Sequence, residues 1–183
     1  MDIEPLTNIK DVLYHWIEND GATKRNGVVR GDRVFDTIQN AYSERGGWEG
    51  WAQVEIAHII KANYTSLSVT REDGVYDGNT KRSDLVLDNG FGTRNIIELK
   101  CQRGSADANP AWIVQQVLDD AHKLQQTLKP EFRPAKCFAV GIAVTPEAIE
   151  AFRNPANWRG VTCNWQACKN NRIITFWVET DVE

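Results

Sequence analysis

Three charged residues stand in segments that otherwise read as buried strand. Asp84 lies in Ser83-Asp84-Leu85-Val86-Leu87, and Glu98 and Lys100 lie in Ile96-Ile97-Glu98-Leu99-Lys100-Cys101. Side chains alternate along a strand. Glu98 and Lys100 therefore project from one face, and Ile97, Leu99 and Cys101 from the other. Asp88-Asn89-Gly90 between the two segments is a hairpin turn signal, which brings the Asp84 strand alongside. Two carboxylates and an ammonium then meet at one point of the sheet. This set suits phosphodiester hydrolysis. One or two carboxylates with waters hold a hard divalent cation such as Mg²⁺, which acidifies a bound water and steadies the leaving oxygen. An adjacent lysine orients that water or balances developing charge. The Leu99 carbonyl, between the two charged residues, is a further oxygen ligand. The bland alternative is a structural ion pair at a strand end, but buried charge pairs are weak stabilisers, so three on apolar strands favour chemistry.

A third acid comes from the helix expected over Trp48 to Asn63. Trp48, Ala52, Glu55 and Ile59 fall at i, i+4, i+7 and i+11, one helical face, so Glu55 is expected on the apolar side. A carboxylate there needs a partner, and a cation at the sheet would provide one; a salt bridge to a neighbour is the other reading. Asp73 and Asp77 read first as turn residues, and reaching the same point is the second reading for either.

The elements that must position these groups follow from periodicity and punctuation. Helices are expected over Asn8 to Asn19 and Asp32 to Ser43, the second closed by Gly46-Gly47. Strands are expected over Leu67 to Arg71, Ser83 to Leu87 and Asn95 to Cys101. Pro110 to Leu128 carries Val114, Val117, Ala121, Leu124 and Leu128 at helical spacing. Lys136 to Val144 is a continuous apolar run that suits a central strand buried on both faces. Thr145-Pro146 opens a short helix, and Ile173 to Glu179 is a last strand. The result is an α/β fold with a mixed central sheet flanked by helices.

With these elements in place, the sequence resembles the PD-(D/E)xK nuclease superfamily, the restriction-endonuclease-like group. Ser83-Asp84 stands where the family has Pro-Asp, and Glu98-Leu99-Lys100 matches its (D/E)xK. The helix–strand–strand–strand–helix–strand order over roughly Trp48 to Val144 is also similar. The length fits a single domain, in which the resemblance assigns residues 48–144 as the nuclease core and leaves 1–47 as a helical extension and 145–183 as a C-terminal helix and strand expected to complete the sheet. It implies that Asp84 and Glu98 bind Mg²⁺, with Mn²⁺ able to substitute, and that Lys100 assists the attacking water. Glu55 occupies the place of a supporting helix acid, and Gln115 and Gln116 the place of a glutamine on the following helix, where an ordinary helix flank is the competing reading. The implied activity is that of an endonuclease acting on DNA. A catalytically inert binding or regulatory module on the same fold is the alternative.

Composition narrows the partners. The 183 residues carry 21 Lys and Arg against 25 Asp and Glu, a formal charge of −4, which disfavours a general nucleic-acid coat and leaves room for a local basic rim. Lys81, Arg82 and Arg103 flank the two charged strands and are the candidates for phosphate contact. Lys24, Arg25, Arg30 and Arg33 form a second basic cluster, read equally well as solvated surface. The longest apolar run, Cys137 to Val144, is too short to span a bilayer, and the first residues lack a basic region followed by an apolar stretch. A cytoplasmic protein with no membrane partner is expected. Its four cysteines lack zinc-site spacing and read as reduced thiols, although a Cys163–Cys168 pair stays open. His15, His58 and His122 show no ligand spacing. Among seven Trp, Trp16, Trp48, Trp51 and Trp177 are expected in the core. Core packing is also the first reading for Trp112, with base stacking the second. Trp158 and Trp165 are expected at a subunit or partner contact, and a homodimer would suit cleavage of two antiparallel strands.

Overall fold

The computed structural model describes residues 9–18, 33–44, 47–78, 81–92, 94–104 and 109–183, residue 33 by its backbone alone. In chain order the elements are α1 (Ile9–Glu18), α2 (Arg33–Tyr42), α3 (Glu49–Asn63), β1 (Ser68–Asp73), β2 (Ser83–Asp88), β3 (Arg94–Cys101), α4 (Trp112–Thr127), β4 (Ala135–Ala143), α5 (Pro146–Arg153), β5 (Asn164–Cys168) and β6 (Ile173–Val182). The six strands form one sheet in the order β1-β2-β3-β4-β6-β5. Only β3 and β4 run parallel among the paired strands. A parallel pair needs a long crossover, and α4 supplies it. The fold is thus α/β with a mixed sheet flanked by helices. Among the described residues, no helix is long and apolar enough to cross a membrane.

The alternation along β3 divides the molecule into two cores. Ile97, Leu99 and Cys101 join Leu85, Leu87, Phe138 and Val140 beneath α1, α2 and α3. Ile96 joins Val86, Cys137 and Ala139 beneath α4 and α5. The two N-terminal helices share the first core: Trp16 of α1 lies 6.5 Å from Trp48 and 5.7 Å from Trp51, ring centre to ring centre.

Local chemistry explains several boundaries. At the β2–β3 hairpin, Gly90 N donates to Asp88 Oδ1 at 2.7 Å, and Gly90 adopts φ +75°, which suits glycine. Arg94 Nε pairs with Asp88 Oδ2 at 3.0 Å. The Gly90 amide and the Arg94 guanidinium hold the Asp88 carboxyl below its ordinary pKa. Thr145 caps α5 by accepting from Ala148 N. In β4, a Cβ on Gly141 would lie 2.2 Å from the Phe176 ring, so only glycine lets β6 close over the strand beside Lys100.

The C-terminal region departs from expectation at two places. Asn164–Cys168 forms the edge strand β5, which had no sequence signal because its side chains are mostly solvated and its pairing is carried by backbone. Trp158 is 6 % exposed rather than a partner contact: its ring packs on Phe152 and Phe176, and Nε1 donates to Phe152 O at 2.7 Å. Trp165 stays 53 % exposed. Cys163 and Cys168 are free thiols, as are Cys101 and Cys137.

Candidate active site

The β2–β3 ladder runs from Asp88–Arg94 to Leu85–Ile97 and then ends. At its open end, the Asp84 carboxylate takes over the hydrogen bonding. Leu99 N donates to Asp84 Oδ2 at 2.5 Å, and Gln53 Nε2 of α3 donates to Oδ1 at 2.7 Å. Gln53 is itself held by Arg71 of β1, whose Nη2 donates to Oε1 at 3.2 Å.

Glu98 is 2 % exposed, with both carboxylate oxygens engaged. The Tyr76 hydroxyl donates to Oε1, and Lys123 Nζ of α4 lies 3.1 Å from Oε2. Lys123 sits over the Tyr76 ring, 4.8 Å from its centre, and 2.7 Å from Asp120 Oδ1. Lys100 Nζ donates to Leu99 O at 3.1 Å and lies 3.2 Å from Asp120 Oδ2 and 3.4 Å from Glu49 Oε1. Cys101 N donates to Glu49 Oε2 at 3.3 Å. Beyond Lys100, buried Gln102 fixes the end of β3: its Oε1 accepts from Val144 N and Thr145 N, and its Nε2 donates to Thr145 Oγ1.

Four carboxylates (Glu49, Asp84, Glu98, Asp120) against two ammonium groups (Lys100, Lys123) leave the cluster with excess negative charge. Burial therefore favours protonation. It raises Asp84 to about 6, against the Leu99 amide and Lys100, which work to lower it. Burial, with the charges of Asp84 and Asp120, raises Glu98 to about 7. For Lys100, burial works to lower the pKa, but Asp120, Glu49, Asp84 and Glu98 outweigh it and hold it above its ordinary value. Lys100 is thus an ammonium at neutral pH, a donor and a positive charge rather than a base.

The donor set fits a hard divalent cation in kind, since every candidate ligand is a carboxylate or carbonyl oxygen. Asp120 Oδ2 is also buried without accepting a hydrogen bond, its Lys100 contact being an ion pair only. The same oxygens are occupied by protein donors, and among the described residues no three His, Cys, Asp or Glu side chains converge on one point. A cation bound at Glu98 would take the place of the Lys123 ammonium.

The sequence-derived residues fall into distinct places. Asp84, Glu98 and Lys100 belong to one electrostatically coupled cluster, and the Leu99 carbonyl faces the Lys100 ammonium. Glu55 is half-buried and makes no hydrogen bond or ion pair to the cluster among the described residues. The α3 residues that reach the cluster are Glu49 and Gln53. The reason is helical phase: the buried stripe runs through Ala52, Gln53, Ile56 and Ile60, and Glu55 lies roughly a third of a turn away from its middle. Arg103 lines a cavity of about 180 Å³ with Glu49, Lys100, Trp112 and Gln116. Gln115 turns the other way, its Nε2 donating to Asp119 Oδ1 at 2.7 Å. Lys81 and Arg82 are exposed immediately before β2. The Asp73 and Asp77 carboxylates make no hydrogen bond or ion pair to the cluster among the described residues. Lys24, Arg25 and Arg30 lie outside the described residues, as does the Arg33 side chain.

Glu49, Gln53, Tyr76, Asp120 and Lys123 escaped the sequence reading. A signal existed for one of them: Asp120 lies between Val117 and Leu124 on the apolar stripe of α4, where an acid demands a partner. Compared with protein-family models, curated proteins and solved structures, the chain matches none.

Proposed function

We propose that the chain is a Mg²⁺-dependent nuclease that hydrolyses phosphodiester bonds in DNA, on a PD-(D/E)xK-type core. The observation that carries this reading is the open end of the β2–β3 ladder, where Asp84 and the Glu98-Leu99-Lys100 triplet lie beside Glu49 of the preceding helix. The order α3-β1-β2-β3-α4-β4, with β3 and β4 parallel, supports it.

Asp84, Glu98 and the Leu99 carbonyl would hold the cation, which supplies an acidified water and a counter-charge for the phosphate. Lys100 orients the attacking water and stabilises charge on the phosphoryl oxygens. Glu49 and Asp120 keep Lys100 protonated and fix its position. Arg82 and Arg103 flank the cluster as phosphate contacts.

One observation favours a second reading. The Lys123 ammonium and the Tyr76 hydroxyl fully satisfy Glu98, as an inert binding module on this fold would require. Cleavage decides between them. With Mg²⁺ or Mn²⁺, wild-type protein should nick and linearise plasmid DNA, and Lys100→Ala should lower the rate by about 100-fold or more. Cleavage unaffected by Lys100→Ala contradicts the assigned mechanism, and no metal-dependent cleavage by wild-type protein favours the inert module.

A further inference from the structure

We propose that the groove on the far side of Trp112 is a subsite for an unpaired nucleotide of the DNA strand that enters the candidate active site. This inference rests on the nuclease reading and adds a substrate preference to it: a single strand, or a duplex with a single-stranded extension.

Trp112 opens α4 and is 41 % exposed, contrary to its expected core position. It stands between two concavities. On one side is the 180 Å³ cavity that contains Lys100 and Glu49. On the other is a groove of about 560 Å³ lined by Trp112, Asn109, Gln115, Asn157 and Arg159. That volume lies within the range that encloses small organic ligands. A chain bound at Lys100 therefore passes the indole on its way into the groove.

The chemistry of the lining fits a nucleotide. The exposed indole offers a stacking face that accepts any base. Arg159 is exposed and supplies a positive charge for phosphate or a guanidinium plane for a base. The amides have spare capacity of both kinds. Asn109 Oδ1 accepts from Ala111 N, which leaves its Nδ2 donors. Asn157 Nδ2 donates to Ala151 O, which leaves its Oδ1 acceptor. Gln115 Nε2 is held by Asp119, which leaves its Oε1 acceptor. No carboxylate lines this groove, although the chain as a whole carries a formal charge of −4. The occupant must be unpaired, because a base inside a duplex has both faces covered by its neighbours and cannot lie on the indole.

The experiment measures binding of a labelled single-stranded oligodeoxynucleotide and of a blunt duplex by fluorescence anisotropy, with Ca²⁺ as the divalent ion. Trp112→Ala should weaken single-strand binding by about tenfold, within the range that loss of one base stack produces. Trp112→Phe should restore most of it, and Arg159→Gln should weaken it by a smaller factor. Blunt-duplex binding should change by less than about twofold, because a duplex presents no base to the indole. Circular dichroism of each variant checks the fold. Unchanged single-strand affinity in Trp112→Ala, equal losses on both DNAs, or absence of single-strand binding by wild-type protein overturns the proposal. The two readings fail separately. Lys100-dependent cleavage with Trp112-independent binding removes the subsite and leaves the nuclease. Trp112-dependent binding without cleavage removes the nuclease and leaves a single-strand-binding groove.

Discussion

β3 supplies both faces of the sheet, and the two faces solve burial in opposite ways. Toward α3, the side chains of Ile97 and Leu99 pack into an apolar cluster with Leu85, Leu87 and Val140, and Cys101 closes that cluster next to Glu49. A fully buried aliphatic side chain there contributes about 1.5–3 kcal/mol. Toward α4, the intervening residues Glu98 and Lys100 are also largely buried, but they are held by Tyr76, Lys123, Asp120 and Glu49. Such pairs roughly break even against their desolvation. One strand therefore carries stability on one side and a compensated cluster of charge on the other. The cluster adds little that an apolar face would not, which is the physical argument for assigning it chemistry.

The largest effect should come from unbalancing the charged face. Lys123→Met removes the ammonium beside Glu98 and should cost about 3–5 kcal/mol above pH 7, the range for breaking a buried pair. The double variant Glu98→Gln/Lys123→Met should recover most of that loss in denaturant unfolding. If the double variant is no more stable than the single, Glu98 and Lys123 are not the coupled pair described here.

A smaller effect follows from protonation. Burial pushes Glu98 up from an ordinary 4.5 to about 7 and Asp84 from 3.8 to about 6. A raised carboxyl pKa stabilises the fold fully below the unfolded value, and that contribution is lost as pH rises through the folded one. Wild-type protein should therefore lose thermal stability relative to Glu98→Gln between about pH 4.5 and pH 7.5, by about 5 °C in midpoint. Mg²⁺ should oppose the loss by binding the ionised folded form. A pH-independent difference between the two proteins would show that burial does not govern Glu98.

The smallest effect discriminates between two acids on one helix. Glu49→Gln removes a carboxylate that holds Lys100 and should lower cleavage by about tenfold. Glu55→Gln touches nothing in the cluster and should change it by less than about twofold. The reverse ranking would restore Glu55 to the site.

The apolar face was the legible one. Periodicity placed α1, α2, α3, α4 and the strands within a residue or two at most ends, and the turn chemistry of Asp88-Asn89-Gly90 fixed the pairing of β2 with β3. The same alternation put Glu98 and Lys100 on a common face. Of their partners, Asp120 alone left a local signal, an acid on the apolar stripe of α4; the others are polar groups brought together from separate elements. Tyr76 and Lys123 meet at Glu98 from two separate elements, and nothing in their local sequence records that. Glu55 misled because Trp48 and Ile59 define a stripe edge rather than its centre. β5 was missed because an edge strand with solvated side chains has no alternation to read.

The most direct test is a crystal structure after soaking with Mn²⁺, with anomalous scattering locating the ion. The account predicts one peak between Asp84, Glu98 and the Leu99 carbonyl, with Lys123 withdrawn from Glu98 and Lys100 retained beside Asp120 and Glu49. Lys123 still on Glu98, with no ion within coordination distance of Asp84, would contradict it.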